Sequence, residues 1–213
     1  MPDDRASQLA AQLRWAIRDT RVLAAIAAVP RERFVPPALR PRAYHDTALP
    51  IGCDQTISQP LVVARMLELL ELRGSERVLD IGTGSGYHAA LLATLAVEVV
   101  SIERHEALSR RAAATLAELG IDNIQLIVGD GSTGATELAP FDAINVAAAI
   151  SGAVPAPLVE QLATGGRMVA PVGPNPQRPD QQQLVVLRRD DGRVLQRRLE
   201  PVRFVPLVPG TDA

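Results

Sequence analysis

A glycine-rich turn carries the first residues whose type and spacing suit chemistry. The apolar run Val78-Leu79-Asp80-Ile81 leads into Gly82-Thr83-Gly84-Ser85-Gly86, and a predicted helix of small and apolar residues follows. Glycines lack a Cβ, so the backbone can turn sharply and approach a ligand. The helix beyond them offers free N–H groups. The spacing G-x-G-x-G differs from the dinucleotide fingerprint G-x-G-x-x-G, and Asp80 would repel a pyrophosphate, which argues against a nicotinamide oxidoreductase.

Two further predicted strands end in acidic residues. Strand 97–102 ends at Glu103, whose carboxylate suits the hydroxyls of a ribose. Strand 124–128 leads into Asp130-Gly131, which suits an adenine amino group. Because the carboxyl ends of parallel strands meet at one edge of a sheet, these residues predict a nucleoside site. Asp80 adds attraction for a cation, such as the amino group or sulfonium of S-adenosylmethionine. The alternative is a set of ordinary tight turns with solvated acidic residues.

Composition argues against several classes of site. All 22 basic residues are arginine, which excludes a Schiff-base or P-loop lysine. The single Cys53 excludes an internal disulfide and suits a reducing compartment. The three histidines, His45, His88 and His105, are too scattered to predict a metal site. A net charge of −2 and 3% aromatic residues argue against a nucleic-acid binder. With no predicted secretory leader or membrane span, we expect a cytoplasmic protein.

Alternating strands and helices position these residues. We predict strands 77–81, 97–102, 124–128, 143–147 and 167–172, and helices 86–95, 105–119 and 155–163. This alternation is typical of a doubly wound, Rossmann-like α/β sheet with helices on both faces. Segments 183–189 and 194–199, joined at Asp191-Gly192, predict an antiparallel hairpin that closes the sheet. The apolar tail 202–207 is expected to pack back on the body.

The N-terminal third is expected to form a helical and lid-like extension. Periodicity predicts one helix over 7–28, with Trp15 as a packing residue and Pro30 at its end. The proline-punctuated segment 31–52 is expected to be an ordered lid or a wrapping arm. A helix over 61–72 follows Thr56-Ile57-Ser58-Gln59-Pro60, in which Thr56 or Ser58 alternatively serves only as a helix cap. We expect one domain over 1–213, with an extension (1–72), a nucleoside-binding core (73–173) and a closing part (174–213).

Several motifs in this order resemble those of protein-L-isoaspartate O-methyltransferases. The matching stretches are Leu49-Pro50-Ile51-Gly52, Thr56-Ile57-Ser58-Gln59-Pro60, the turn from Val78 to Tyr87, Gly129-Asp130-Gly131, Ala139-Pro140-Phe141-Asp142-Ala143-Ile144, Gly165-Gly166-Arg167 and Arg203-Phe204-Val205-Pro206-Leu207. The glycine turn is common to many methyltransferases. The Thr-Ile-Ser-x-Pro stretch and the Phe-Val-Pro-Leu tail are far more specific to this family.

The resemblance implies S-adenosylmethionine-dependent methylation of the α-carboxylate of L-isoaspartyl residues, which starts repair through a succinimide. It implies that Ser58 lies beside the reacting carboxylate as the catalytic residue, and that Val205, Pro206 and Leu207 help close the substrate groove, which Ile57 and Ser58 line. The donor would contact the following residues: Thr56, Ile57, Asp80, Gly82, Thr83, Gly84, Ser85, Gly86, Glu103, Asp130 and Gly131. Damaged proteins and peptides would be the partners, and the enzyme is expected to be a monomer.

The chain departs from the family at three places, and two alternative functions remain open. Asp54 stands where the family often has glycine, Glu32 where histidine is usual, and Asn145-Val146-Ala147 where threonine usually follows the strand. A carboxylate at Asp54 would repel an anionic substrate unless it points to solvent. One alternative is a carboxyl methyltransferase dedicated to a specific peptide acceptor. The other is a module that binds S-adenosylmethionine without chemistry.

Overall fold

The N-terminal segment forms two helices where the sequence predicted one. The computed structural model describes residues 4–175 and 178–212. Helix α1 spans Asp4–Leu13 and α2 spans Thr20–Ala28. The chain breaks between them because Asp19 caps α2, accepting a hydrogen bond from the Arg21 N–H at 2.9 Å. Trp15 lies in this break and is 78% exposed, so its predicted packing role was wrong.

The segment that follows α2 is ordered and wraps around the domain. It forms two 3-10 helices, Arg31–Phe34 and Pro37–Arg42, and then the hairpin of β1 (Leu49–Gly52) and β2 (Gln55–Ile57). Arg31 is fully buried, donates from Nε to the Ala43 carbonyl at 2.7 Å, and lies over the Tyr87 ring. One buried guanidinium therefore ties the wrapping segment to the helix that follows the glycine turn.

Helix α3, Pro60–Leu70, begins at a proline in its first turn. Its cap comes from a distant residue, because Asp46 Oδ1 accepts from the Leu61 N–H at 2.9 Å. Asp46 Oδ2 also accepts from the Gln59 side chain at 2.8 Å. Neither Thr56 nor Ser58 caps the helix, so the cap-only interpretation of these residues was wrong.

The remaining elements build one central sheet. They are β3 (Arg77–Ile81), α4 (Tyr87–Leu95), β4 (Glu98–Glu103), α5 (Glu106–Glu118), β5 (Ile124–Val128), β6 (Phe141–Val146), β7 (Ile150–Ser151), α6 (Ala156–Glu160), β8 (Leu162–Gly173), β9 (Gln183–Asp190) and β10 (Arg193–Pro201). The strand order is β10-β9-β8-β6-β3-β4-β5, with β7 paired to β8. Strands β3 to β8 pair in parallel, and β9 and β10 are antiparallel. The predicted α/β sheet with a closing hairpin is confirmed.

Buried strand residues alternate between two hydrophobic cores, one on each face of the sheet. Val78 and Val99 pack into the core shared with α1 to α5, whereas Leu79 and Val100 pack into the core shared with α6. Strand β8 begins earlier than predicted, because Leu162 already pairs with Phe141. Helix α6 is correspondingly shorter than the predicted 155–163.

The predicted hairpin turn is confirmed, with positive φ at Asp191 and Gly192. Strand β10 forms the outer edge of the sheet, and its exposed arginines discourage pairing with another chain.

No described helix is long and apolar enough to cross a membrane. Among residues 4–175 and 178–212, no group of three or more histidine, cysteine or acidic residues is placed to hold a metal ion.

Candidate active site

The glycine turn connects β3 to α4 and adopts a conformation that requires glycine. Gly82, Gly84 and Gly86 have φ of 89°, 54° and 88°, which side-chain-bearing residues rarely adopt. The turn is held against β4, since the Gly82 N–H donates to the Ile102 carbonyl at 2.8 Å. A Cβ on Gly86 would lie 3.0 Å from Ala112 Cβ, so this glycine also lets α5 pack closely.

Glu103, at the end of β4, lies directly beside the turn. It is 5% exposed, and its Oε2 accepts from the Gly84 N–H at 2.8 Å. Its Oε1 accepts from the His105 N–H at 3.0 Å. Each carboxylate oxygen keeps a second lone pair that can accept a ligand hydroxyl. The carboxylate therefore both fixes the turn and borders the cavity described below.

Asp80 lies beneath the turn and has no exposed surface. Its Oδ1 accepts from Asn145 Nδ2 and its Oδ2 from Ser101 Oγ, both at 2.7 Å. Burial raises the pKa of Asp80 to about 6. The sequence predicted direct attraction of a ligand cation, but the position of Asp80 suits support of the turn from below. Its burial was not predictable from the motif.

The third strand end is joined to the C-terminal tail. Asp130 Oδ1 accepts from the Ser132 N–H at 2.8 Å, and its Oδ2 accepts from the Gly210 N–H at 2.8 Å. Although burial opposes the shift, these hydrogen bonds lower the pKa of Asp130. Gly131 is buried, and a Cβ there would lie 2.5 Å from Ile81 Cγ2, so only glycine fits.

Residues 204–212, which we name the tail strap, cross the edge of the sheet where these residues meet. The Ala149 N–H donates to the Val205 carbonyl at 2.7 Å, and the Leu207 N–H donates to the Ala149 carbonyl at 2.8 Å. Farther along, Asp212 forms an ion pair with Arg104 at 2.6 Å, and its Oδ2 lies 2.9 Å from His105 Nδ1. The tail therefore packs back as predicted and covers the ends of β4 and β5.

Three neighbouring cavities lie between the glycine turn, the tail strap and the segment before α3. The donor cavity, about 100 Å³, is lined by Gly82, Gly84, Glu103, Gly131 and the tail strap from Val205 to Val208. The inner cavity, about 40 Å³, is lined by Ile57, Ser58, Thr83, Ser85 and His88, among others. The acceptor cavity, about 530 Å³, is lined by Ser58, Gln59, Asp180, Arg203 and Phe204, among others. Thr56 and Ala147 line all three.

Ser58 stands at the junction of the acceptor and inner cavities. It is half-buried, and its hydroxyl has no hydrogen-bond partner in the described part of the chain. Ile57 is buried beside it and Thr56 is exposed. The predicted segment therefore presents a free hydroxyl where two cavities meet.

Asp54 does not join this group. It occupies the β1–β2 turn, where Cys53 and Asp54 both have positive φ and are exposed. Asp54 is solvent-exposed and lines none of the three cavities.

Sequence reasoning missed the places of Asp46 and His88 in the site. Asp46 anchors the segment before α3 through the cap described above, and no local pattern connects it to that helix. Ala147 and Arg203, which belong to stretches that the sequence analysis had singled out, both line the acceptor cavity. His88 looked like one more residue of an apolar helix; its place beside Thr83 and Ser58 is visible only in three dimensions.

Comparisons with known proteins agree with this geometry. A family model described as protein-L-isoaspartate(D-aspartate) O-methyltransferase matches residues 4–212. A Methanoregula boonei protein-L-isoaspartate O-methyltransferase is 54% identical over 192 residues, covering 90% of this chain and 86% of the relative. A Koribacter versatilis protein of the same name is 51% identical over 206 residues, covering 96% and 90%.

Solved structures show the same fold. One protein-L-isoaspartate O-methyltransferase superposes with a TM-score of 0.82 at 28% identity, covering 93% of this chain and 64% of that one. A Plasmodium falciparum structure described under the same name, in complex with S-adenosyl-L-homocysteine, gives 0.82 at 27% identity and covers 95% and 98%. With a family match over nearly the whole sequence and relatives more than half identical, the chain belongs to the protein-L-isoaspartate O-methyltransferase family.

Proposed function

We propose that this enzyme transfers the methyl group of S-adenosylmethionine to the free α-carboxylate of L-isoaspartyl residues in damaged proteins and peptides. The observation that carries the proposal is the meeting of the acceptor cavity and the inner cavity at Ser58. The names of the relatives favour this function over a carboxyl methyltransferase dedicated to one peptide. The resulting ester can reclose to a succinimide with loss of methanol, which starts repair.

The residues of the donor cavity fit S-adenosylmethionine. Glu103 offers free lone pairs for the ribose hydroxyls, and Ile81 and Gly131, which both line this cavity, would contact the adenine ring. Asp130, next to Gly131, would accept a hydrogen bond from the adenine amino group. Thr56, Ile57 and the turn Gly82-Thr83-Gly84-Ser85-Gly86 would surround the methionine part. When bound, this donor supplies an electrophilic methyl group on a sulfonium.

The chain needs no general base for this reaction. A carboxylate acceptor has a pKa near 4 and is already ionised at neutral pH. The protein's task is therefore to align the carboxylate oxygen with the methyl group and to exclude water. The Ser58 hydroxyl would donate to the acceptor carboxylate and orient it, while Ile57 and Val205, Pro206 and Leu207 would shape the acceptor groove.

A pair of peptides that differ only in linkage tests the function. Methyl transfer from labelled S-adenosylmethionine is measured to an isoaspartyl peptide and to its aspartyl counterpart, with base-labile methanol as the readout of an ester. We expect transfer to the isoaspartyl peptide alone. Transfer to neither peptide, with S-adenosylhomocysteine still bound, would overturn the acceptor assignment and leave the donor assignment intact.

The role of Ser58 is tested separately. We expect Ser58→Ala to lower kcat with the isoaspartyl peptide, while the affinity for S-adenosylhomocysteine changes little, because the lost hydroxyl faces the acceptor. Ser75→Ala is the matched control, since Ser75 is exposed in the loop before β3. An unchanged kcat in Ser58→Ala would contradict the catalytic assignment.

We further infer a monomeric, cytoplasmic enzyme that binds neither nucleic acid nor membranes. A net charge of −2 and a single cysteine support this inference. Light scattering of the purified protein and fractionation of the source cells test it; a stable dimer or a membrane-bound pool would contradict it.

A further inference from the structure

A buried polar network connects the glycine turn to the first turn of α4. His88, the second residue of α4, is 8% exposed. Its Nδ1 lies 3.3 Å from Asn145 Nδ2, and the same Nδ2 donates to Asp80 Oδ1 at 2.7 Å. The opposite oxygen of Asp80 accepts from Ser101 Oγ, which lies 2.6 Å from Thr83 Oγ1. His88 is therefore the end of a chain of hydrogen bonds that begins inside the turn.

This network fixes the tautomer of His88. An amide nitrogen is only a donor, and Asn145 Nδ2 has two hydrogens, one for Asp80 and one for His88. The opposite orientation of the amide would set its oxygen against the Asp80 carboxylate. His88 Nδ1 must accept, so the neutral ring carries its hydrogen on Nε2. Burial lowers the pKa of His88 to about 3, so the ring stays neutral at physiological pH.

The Nε2–H group of His88 is buried and has no partner in the described structure. Buried donors are almost always satisfied, so such a group calls for a ligand or a water. His88 borders the inner cavity together with Ile57, Ser58 and the glycine turn. The residue that carries the unpartnered donor therefore belongs to the wall of the space in which the methionine part of the methyl donor would lie.

We propose that His88 binds the α-carboxylate of the methyl donor's methionine part through Nε2–H, with Asn145 and Asp80 as positioning residues that hold the required tautomer. The inference rests on the proposed use of S-adenosylmethionine. The amino-acid end of that molecule carries an ammonium group, which only donates hydrogen bonds, and a carboxylate, which only accepts them. An N–H donor complements only the carboxylate. The amino-terminal end of α4 adds a positive partial charge at the same place.

The proposal is tested with ligands that differ in one group. Calorimetry compares the binding of S-adenosylhomocysteine with that of its decarboxylated analogue to the unmodified enzyme, to His88→Leu and to His88→Gln. We expect His88→Leu to weaken S-adenosylhomocysteine about tenfold or more, because a hydrogen bond to a charged group is lost. Binding of the decarboxylated analogue should stay unchanged, and His88→Gln, which keeps an N–H donor, should retain most of the affinity.

Equal losses for both ligands, or no loss for either, would overturn the proposal. His45→Leu is the matched control, because His45 is exposed in the wrapping segment. No isoaspartyl acceptor enters these measurements, so an error in the acceptor assignment does not affect them. Failure of the unmodified enzyme to bind S-adenosylhomocysteine would instead contradict the proposed function.

A second measurement needs no variant and applies even if His88→Leu does not fold. Nitrogen-15 shifts of the His88 ring in the unmodified enzyme should show an unprotonated Nδ1 and a protonated Nε2. The Nε2–H proton should shift on addition of S-adenosylhomocysteine and remain in place on addition of the decarboxylated analogue. A protonated Nδ1, or the same shift with both ligands, would overturn the proposal.

Discussion

Replacing Glu103 by glutamine tests how the donor site holds a ribose. Both carboxylate oxygens already accept backbone hydrogen bonds, one from Gly84 and one from His105. The amide of Glu103→Gln keeps one acceptor, so its NH2 group must face one of these N–H groups and leave it unsatisfied. We expect an unfolding free energy lower by about 1–3 kcal/mol, the usual cost of an unsatisfied buried donor.

The same change removes the negative charge that would accept the ribose hydroxyls. Hydrogen bonds to a charged group contribute about 1.5–3 kcal/mol, which corresponds to a loss of about 10- to 150-fold in affinity for S-adenosylhomocysteine. Calorimetry measures the affinity, and urea unfolding without ligand measures the stability. The 2′,3′-dideoxy analogue of S-adenosylhomocysteine, which lacks both hydroxyls, should bind both proteins equally.

Glu98→Gln provides the control, because Glu98 begins the strand that Glu103 ends. Its carboxylate pairs with Arg77 at 2.8 Å and is 41% exposed, so the change should cost at most about 1 kcal/mol of stability and no donor affinity. Unchanged affinity of Glu103→Gln for S-adenosylhomocysteine, or an equal loss for the dideoxy analogue, would refute the ribose assignment.

Three further predictions concern the β1–β2 turn, the acceptor cavity and the buried histidine. Asp54→Gly should raise the unfolding free energy by about 0.5–1 kcal/mol without changing kcat/KM, because φ at this exposed position is 55°; lost activity would contradict this. Arg203→Gln should raise KM for isoaspartyl peptides up to about fivefold, because an exposed ion pair between Arg203 and the anionic peptide would contribute at most about 1 kcal/mol. Arg193→Gln on the outer hairpin should leave KM unchanged. Because the unfolded chain protonates His88 near pH 6.5 and the folded chain does so only near pH 3, stability falls as pH falls between these values. In urea unfolding below pH 6.5, the unfolding free energy of the unmodified enzyme should fall by up to about 1.4 kcal/mol per pH unit relative to that of His88→Gln. Parallel curves of unfolding free energy against pH for the two proteins would contradict the buried neutral ring.

The strand ends were predictable from the sequence because they depend on local patterns. An apolar run followed by glycines, or by Glu103, marks the carboxyl end of a strand, and parallel pairing brings such ends together. The spacing G-x-G-x-G of the glycine turn also argued correctly against a dinucleotide site. The hairpin at Asp191-Gly192 was predictable for the same reason, since the turn geometry is encoded in two residues.

Other predictions were wrong because they depend on hydrogen-bond partners that are distant in the sequence. Helical periodicity continues through Trp15, but the first helix ends at Leu13 and the second begins at the cap Asp19, whose N–H donates to Glu68 of α3. The cap that Asp46 supplies to α3 comes from a residue 15 positions before Leu61. Asp80 reads as a ligand-facing acid because the motif does not reveal that Asn145 and Ser101 take up its oxygens.

The walls shared by the three cavities give the methyl donor and the peptide a route by which each can affect the binding of the other. Thr56 and Ala147 line every cavity, and Val205 of the tail strap lines both the donor and the acceptor cavity. Any shift of these residues that accompanies donor binding changes the space offered to the peptide. Such coupling is reciprocal, so the factor by which S-adenosylhomocysteine changes peptide affinity equals the factor by which the peptide changes that of S-adenosylhomocysteine. Donor affinity and peptide affinity therefore both depend on the walls between the cavities as well as on either cavity alone.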